Sequence, residues 1–214
     1  MLFDLDRTLI PGSSLVVLAR ELRGRRLLPQ RTIVSASLRH AMFTRRGARD
    51  HTVVHLKDAA LMAVAGMAVD DLDDVALTVA REVIRRVYPG ARQLVRDHVN
   101  AGDFCVLLSA SPQEVVQRVA RRLDMQRAIG TQVATADGYL LSELVGDFCY
   151  GPGKLSRLTE ELGDVDLSRA IAYSDSASDE LLMARCGKAV AVCPDRRMRA
   201  IAQQRGWPVL RFAS

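Results

Sequence analysis

Apolar residues between positions 15 and 87 recur three and four apart, which is the spacing of one buried face of an α-helix. The positions that carry this pattern include Leu15, Leu18, Ala19, Leu22, Val54, Ala60, Leu61 and Val64. Aspartates at positions 70, 71, 73 and 74 open a further helical run that reaches Val87, and acidic residues suit a helix N-terminus. No strand-like pattern interrupts the region, so we predict an all-helical segment over residues 12–87.

A different pattern begins after Tyr88-Pro89-Gly90, where short apolar runs alternate with helical spacing. The predicted strands are 1–3, 104–108, 170–173, 189–193 and 208–212, with a hairpin at 129–143 that turns on Asp137-Gly138. The predicted helices are 91–100, 112–123, 154–162, 178–186 and 196–205. This alternation predicts an α/β fold: a Rossmann-like, mostly parallel sheet formed by residues 1–11 and 88–214, with residues 12–87 inserted after the first strand as a small helical cap.

The charge distribution adds a candidate binding surface. The 214 residues carry a formal net charge of +5. Between positions 20 and 49, Glu21 is the single acid among nine arginines, which are Arg20, Arg23, Arg25, Arg26, Arg31, Arg39, Arg45, Arg46 and Arg49. Such a stretch is either a solvated face or a surface for anions. Only one aromatic residue, Phe43, interleaves these arginines, so we expect no nucleic-acid partner, whereas peripheral membrane contact stays open.

Several classes of protein are not expected from this sequence. No apolar run is long enough to span a bilayer, and Asp4 lies too early for a secretory leader to precede it, so we expect a cytoplasmic protein. The very short first strand leaves open whether the natural chain begins upstream of Met1. We expect the four cysteines to be free, His51 and His55 to bind no metal, and Trp207 to contribute to packing.

Polar side chains occur where the predicted strands end. Asp4 and Asp6 follow the first strand, the sequence Ser109-Ala110-Ser111 follows the second, and Asp175 precedes Asp179 after a later strand. Lys154 opens a predicted helix. The carboxyl ends of parallel strands share one edge of a sheet, so these groups can converge there. Because paired carboxylates repel each other unless a cation or a proton intervenes, a Mg²⁺ site is one interpretation.

The order of these motifs resembles that of the haloacid dehalogenase-like phosphohydrolases over essentially the whole chain. The segment Phe3-Asp4-Leu5-Asp6-Arg7-Thr8-Leu9 is similar to the first motif of that superfamily. Ser109 is similar to the second motif, Lys154 to the third, and Asp175 with Asp179 to the fourth. The C-terminal segments Val192-Cys193-Pro194-Asp195 and Gly206-Trp207-Pro208 resemble the phosphoserine-phosphatase-like branch. The resemblance implies a phosphatase that hydrolyses a small phosphorylated substrate.

The resemblance also implies a role for each matched residue. Asp4 would be the nucleophile that forms an aspartyl-phosphate, Asp6 the general acid and base, and Lys154 the cation that neutralises growing charge. Mg²⁺ would be held by the carboxylates of Asp4 and Asp175 and by the main-chain carbonyl of Asp6, with support from Asp179. The implied substrate-binding residues are Thr8, Ser109, Ala110 and Lys154.

One position departs from the resembled branch. Phosphoserine phosphatases carry a cap glutamate nine residues after the nucleophile, which binds the ammonium group of the substrate, and here that position is Ser13. We therefore expect no strict specificity for phosphoserine, and the arginine-rich segment suggests a more anionic or more lipid-like substrate, such as a sugar phosphate, a nucleotide or a lysophospholipid phosphate. Two other functions remain open: phosphoryl transfer to an acceptor other than water, and a non-catalytic basic module that binds nucleic acid or membrane. The sequence does not predict the oligomeric state.

Overall fold

A seven-stranded sheet forms the centre of the molecule. The computed structural model describes residues 1–27 and 50–213, with side chains from residue 57 onward in the second range. The strands are β1 (Leu2–Asp4), β2 (Val106–Pro112), β3 (Arg127–Ala136), β4 (Tyr139–Val145), β5 (Ile171–Ser174), β6 (Lys188–Val192) and β7 (Val209–Leu210). Their order is β4-β3-β2-β1-β5-β6-β7, and every pair is parallel except β3 with β4. The predicted α/β fold with a mostly parallel sheet is therefore confirmed.

Helices flank this sheet, and most of them follow the predicted periodicity. They are α1 (Ser14–Gly24), α2 (Asp50–Val64), α3 (Val69–Arg85), α4 (Pro89–Asn100), α5 (Gln113–Arg122), α6 (Pro152–Leu162), α7 (Glu180–Arg185) and α8 (Arg196–Arg205). Short 3₁₀ turns cover Leu167–Arg169 and Ala177–Asp179. Among the described residues, no helix is both long enough and apolar enough to cross a membrane.

The described part of the insert, residues 12–27 and 50–87, contains three helices. The amphipathic α3 buries its apolar side completely: Leu72, Val75, Ala76, Val79, Ala80 and Val83. These side chains belong to the same hydrophobic cluster as Phe3 of β1, Leu107 of β2 and Val115 of α5. Since one cluster extends from the sheet into the insert, the boundary of a separate cap domain at residues 12–87 stays a prediction.

Two strand boundaries differ from the prediction in ways that matter for function. We predicted that β2 would end at Leu108, but the strand continues to Pro112, with a register shift against β3 after Leu108. Ser109 and Ser111 therefore lie within the last part of a strand rather than in the loop after it. The first strand ends at Asp4, so the aspartate itself belongs to the strand. The predicted turn at Asp137-Gly138 is confirmed, with φ values of 50° and 83°.

Some of the sequence predictions fall outside the described residues. These are Phe43, Arg31, Arg39, Arg45, Arg46 and Arg49, together with the side chains of His51 and His55. The four cysteines are free, as predicted, with Cys105 and Cys149 buried. Trp207 packs partly buried against the second hydrophobic cluster, which lies on the other side of the sheet and includes Leu158 and Met198. Its predicted packing role is thus confirmed.

Candidate active site

Four of the predicted site residues converge at the carboxyl edge of the sheet. Asp4 is the last residue of β1, and Asp175 directly follows β5. Asp179 ends the 3₁₀ turn after β5, and Lys154 lies in the first turn of α6. Parallel β1 and β5 are neighbours in the sheet, so their ends bring residues about 170 positions apart into contact.

Lys154 is the buried cation at the centre of this cluster. Its Nζ donates to Asp4 Oδ1 and to Asp179 Oδ2, each at 2.6 Å, and its side chain is only 5% exposed. Burial alone lowers the pKa of Lys154, but the carboxylates of Asp179 and Asp4 outweigh it and raise the pKa well above its ordinary value. Lys154 therefore stays protonated and places a positive charge beside the carboxylate of Asp4.

Asp4 is held from its other side by Thr8. Thr8 Oγ1 donates to Asp4 Oδ2 at 2.7 Å and accepts the main-chain N–H of Asp175 at 3.0 Å. Burial raises the pKa of Asp4 to about 6, and the charge of Lys154 opposes this rise. Thr8 thus fixes the orientation of the Asp4 carboxylate and ties it to the loop after β5.

Asp6 is surrounded by serine hydroxyls. Its Oδ2 accepts from Ser13 Oγ at 3.0 Å, and its Oδ1 accepts from the N–H and the Oγ of Ser14 at 2.8 and 2.6 Å. Ser14 Oγ also lies 2.6 Å from Ser111 Oγ. Burial raises the pKa of Asp6, and the hydrogen bonds from Ser14 and Ser13 oppose the rise. A carboxyl group in this setting can carry a proton and also release it.

Asp175 forms an ion pair with Arg7, a residue for which the sequence predicted no role. Arg7 Nη2 lies 2.9 Å from Asp175 Oδ2, and the two side chains are 40% and 4% exposed. Burial and the neighbouring carboxylate of Asp4 raise the pKa of Asp175 well above its ordinary value, and the charge of Arg7 opposes them. The pair therefore joins a buried carboxylate to a partly exposed cation.

Asp179 is oriented by Ser174, the last residue of β5. Ser174 Oγ donates to Asp179 Oδ2 at 2.7 Å, on the same oxygen that receives Lys154 Nζ. Asp179 thus positions Lys154 rather than pointing at Asp4. Sequence reasoning assigned no role to Ser14 or Ser174, and none to Ser111 beyond its place at a strand end, because serines near strand ends and helix starts most often serve as caps or turn residues.

Ser109 and Ala110 make contacts within the β2 region. Ser109 Oγ accepts the N–H of Ser111 at 3.2 Å, and the carbonyl of Ala110 accepts from Thr131 Oγ1 at 2.9 Å. The side chain of Ser109 is buried at the carboxyl half of β2, next to β1. Its part in binding substrate stays a prediction.

The donor set at this edge fits a hard divalent cation. Asp4 and Asp175 offer carboxylate oxygens from neighbouring strands, and the guanidinium held at Asp175 shows that this carboxylate attracts a cation. Residues 1–27 and 50–213 contain no group of three or more His, Cys, Asp or Glu side chains arranged to hold a metal. Mg²⁺ needs fewer, because it commonly binds one or two carboxylates and completes its ligands with water and phosphate.

Comparisons with known proteins show the family of this chain. The family model of the haloacid dehalogenase-like hydrolases matches residues 1–184. A phosphoserine phosphatase of Mycobacterium tuberculosis is 33% identical over 98% of this chain and 70% of its own length. A second protein of that organism, named a probable phosphatase, is 31% identical over 99% of this chain and 74% of its own length.

Solved structures share the fold. A protein of unknown function from Bordetella pertussis superposes with a TM-score of 0.82 and 28% identity, covering 98% of this chain and 96% of its own. A substrate-bound phosphoserine phosphatase superposes with a TM-score of 0.64 and 16% identity, covering 98% and 90% of the two chains. The site geometry, the matched family model and these relatives together lead to one assignment. The chain belongs to the haloacid dehalogenase-like hydrolases and is a phosphoric monoester hydrolase similar to phosphoserine phosphatases.

Proposed function

We propose that this protein is a Mg²⁺-dependent phosphatase that hydrolyses a small phosphomonoester through an aspartyl-phosphate on Asp4. The observation that carries the proposal is the fixed Asp4 carboxylate, held between Lys154 Nζ at 2.6 Å and Thr8 Oγ1 at 2.7 Å. A nucleophile needs this kind of orientation, and the neighbouring permanent cation favours the negative charge that develops during phosphoryl transfer.

The first step forms a bond between an Asp4 carboxylate oxygen and phosphorus. The bond from phosphorus to the ester oxygen breaks, and Asp6 gives its proton to the leaving oxygen. In the second step a water attacks the phosphorus, Asp6 takes the proton of that water, and the bond to Asp4 breaks. Inorganic phosphate leaves, and both aspartates return to their starting protonation states.

A divalent cation fits beside these residues. The carboxylates of Asp4 and Asp175 and the main-chain carbonyl of Asp6 would hold Mg²⁺, while Asp179 would support the site through Lys154. When bound, Mg²⁺ supplies positive charge that lets a phosphate dianion approach the aspartates. Lys154 and the hydroxyl of Ser109 would bind the phosphoryl oxygens from the other side.

The substrate that we propose lacks an ammonium group. Ser13 occupies the position where an acid would bind an ammonium, and its hydroxyl donates to Asp6 Oδ2 at 3.0 Å. The chain carries no acidic residue between Glu21 and Asp50, so residues 22–49 of the insert supply no replacement. An ammonium placed there would lose its hydration without gaining a carboxylate partner.

A matched pair of substrates tests this point. O-phosphoserine and 3-phosphooxypropionate differ by one amino group, and we expect kcat/KM for the two to agree within about threefold. Released phosphate, measured with Mg²⁺ present, provides the readout. A preference for phosphoserine of tenfold or more would show that the site binds the ammonium and would refute the proposed substrate class.

The nucleophile is tested by Asp4→Asn. We expect loss of turnover by at least about 10³-fold with an aryl phosphate, because an amide cannot form the aspartyl-phosphate. Asp97→Asn, on the exposed side of α4, is the matched control and should retain wild-type turnover. Substantial activity in Asp4→Asn would refute the nucleophile assignment.

The same assay distinguishes hydrolysis from the two alternatives that the sequence left open. A phosphotransferase would yield a phosphorylated acceptor in place of free phosphate. A non-catalytic basic module would show no hydrolysis by the wild-type protein and a ligand affinity that falls steeply with salt.

A further inference from the structure

Two cations pair with carboxylates of the site, in different settings. Lys154 is 5% exposed and bridges two buried aspartates, so it cannot leave without exposing uncompensated charge. Arg7 is 40% exposed and meets the site through a single contact, Nη2 to Asp175 Oδ2 at 2.9 Å. The exposed guanidinium of Arg7 can be hydrated when it leaves, but the buried carboxylate of Asp175 then needs another cation, so Arg7 can leave Asp175 when a metal ion takes its place.

The backbone of Arg7 is nevertheless fixed beside the aspartates. Arg7 has a φ of 60°, and its N–H donates to the carbonyl of Gly12 at 3.0 Å. Its chain neighbours, Asp6 and Thr8, are themselves held by hydrogen bonds. The backbone of Arg7 is thus held beside the aspartates, and any movement of the guanidinium away from Asp175 comes from its side chain.

A bound metal ion and Arg7 would compete for the carboxylate of Asp175. This part of the argument rests on the proposed function, in which the Asp175 carboxylate holds Mg²⁺. A dication at Asp175 repels a guanidinium a few ångströms away and competes with it for the same oxygens. Once displaced, Arg7 needs another anion, and guanidinium groups bind carboxylates and phosphates strongly in a fork geometry.

We propose that Arg7 is a specificity-determining residue that is the counter-ion of Asp175 in the metal-free protein and binds a second anionic group of the substrate when metal holds Asp175. The substrate class is thereby narrowed to phosphomonoesters whose alcohol portion carries a further negative charge close to the ester. This agrees with Ser13, since a neutral residue in place of an acid removes a group that would repel such an anion.

Metal affinity tests the first half of the proposal without any turnover. Isothermal titration calorimetry with MgCl₂ should give a Kd about three- to fivefold lower for Arg7→Gln than for the wild type, because the competing cation is gone. Arg85→Gln, which removes a 73% exposed arginine from a surface pair on α3, should leave the Kd unchanged. An unchanged or weaker Mg²⁺ affinity in Arg7→Gln would overturn the counter-ion role.

Substrate preference tests the second half. 2-Phosphoglycolate and ethyl phosphate are similar in size, but only the former carries a carboxylate. We expect the wild type to prefer 2-phosphoglycolate at least tenfold in kcat/KM and Arg7→Gln to lose about tenfold of that ratio. Arg7→Lys should keep part of the preference, because it retains the charge without the fork.

The outcomes separate this inference from the proposed function. If the wild type hydrolyses ethyl phosphate but the ratio is the same in Arg7→Gln, Arg7 binds no second anion and the inference is wrong while the phosphatase stands. If the wild type hydrolyses neither substrate and binds no Mg²⁺, the proposed function fails, and the role of Arg7 fails with it.

Discussion

At the scale of single residues, the site is a small network of buried charge organised around one lysine. Asp4 and Asp179 both accept from Lys154, and Ser174 holds Asp179 in place. Removal of one partner from a buried ion pair leaves an uncompensated charge, which is far more costly than the pair itself is stabilising. The network therefore makes the fold dependent on the same residues that carry the chemistry.

Lys154→Met tests this dependence. We expect the free energy of unfolding of the metal-free protein to fall by about 3–5 kcal/mol, since two buried aspartates lose their cation. Ser174→Ala removes one hydrogen bond to Asp179 and should cost only about 1–2 kcal/mol. Urea denaturation followed by circular dichroism measures both changes, and equal losses in the two variants would contradict this ranking.

The buried carboxylates also predict how stability depends on pH. Burial raises the pKa of Asp4 to about 6, above its ordinary value of 3.8, so the folded protein holds a proton that the unfolded chain has released. The free energy of unfolding of the metal-free protein should therefore fall as pH rises from about 4 to about 6, by on the order of 2 kcal/mol from this group.

Denaturation of wild type and Asp4→Asn at several pH values, with a chelator present, measures this dependence. The variant should show a shallower fall over the same range, because it lacks the group that titrates. Asp6 and Asp175, whose pKa values burial also raises, leave it some slope. Identical slopes in the two proteins would contradict the raised pKa of Asp4.

Most of the charged residues that meet at this edge were predicted from the sequence, but Arg7 and the neutral Ser14 were assigned no role there. Asp4, Lys154, Asp175 and Asp179 could be predicted because charged residues at strand ends and helix starts have few structural reasons to gather at one sheet edge. Ser14 carries no comparable signal, since a serine at a helix start is ordinary. Its contact with Ser111, 97 positions away, depends on packing that sequence spacing does not contain.

At the scale of elements, the start of α6 positions Lys154. Gly153 precedes the lysine, and a Cβ atom built on it would overlap the main-chain carbonyl of Phe148. The close approach of the preceding loop to α6 is thus possible only because residue 153 has no side chain. Helix α6 consequently begins where Lys154 can reach Asp4.

Gly153→Ala should displace the start of α6. We expect kcat to fall by about tenfold or more, since a shift of about 1 Å in Lys154 is enough to lose much of its effect on the transition state. Gly24→Ala, at the end of α1, where an added Cβ meets no atom of the described residues within 4 Å, is the matched control and should be neutral. Wild-type kinetics in Gly153→Ala would mean that the loop containing Phe148 moves to accommodate the new Cβ atom and that the start of α6 stays in place.

Apolar spacing predicted the ends of α4 and α6 at Asn100 and Leu162, but both helices begin two residues earlier than predicted, at Pro89 and Pro152. The end of β2 was not predicted, because Ser109-Ala110-Ser111-Pro112 lacks the apolar residues that mark a strand. Pairing of Pro112 with Thr131 of β3 extends the strand there. Whether a strand continues at such a position depends on its pairing with a neighbouring strand and not on the local sequence.

At the scale of the whole molecule, the insert and the sheet share a hydrophobic cluster. Val79 of α3 is fully buried in the same cluster as Val116 of α5 and Phe3 of β1. Burial of one such valine stabilises the fold by roughly 1.5–3 kcal/mol. The described helices of the insert should therefore unfold together with the sheet.

Two spectroscopic probes test this cooperativity. Trp207, the single tryptophan of the chain, packs on the second cluster near β7, whereas circular dichroism at 222 nm reports all helices. We expect the two urea transitions to coincide and Val79→Ala to shift both midpoints equally. An earlier circular dichroism transition would indicate that the insert unfolds alone, as an independent domain over residues 12–87 would.

The turn between α2 and α3 has a consequence for behaviour at high concentration. Gly66 and Val69 donate their N–H groups to Leu140 and Gly138, and Leu140 donates to Met67, so this turn runs along the outer side of β4. Without it, the first residues of β4 would offer a free edge beside the exposed Tyr139 and Leu141. Open edges of this kind recruit strands from other molecules and start aggregation. The turn thus covers this part of the sheet edge and opposes self-association. We expect a variant with a loosened turn to aggregate under conditions in which its monomer is still folded.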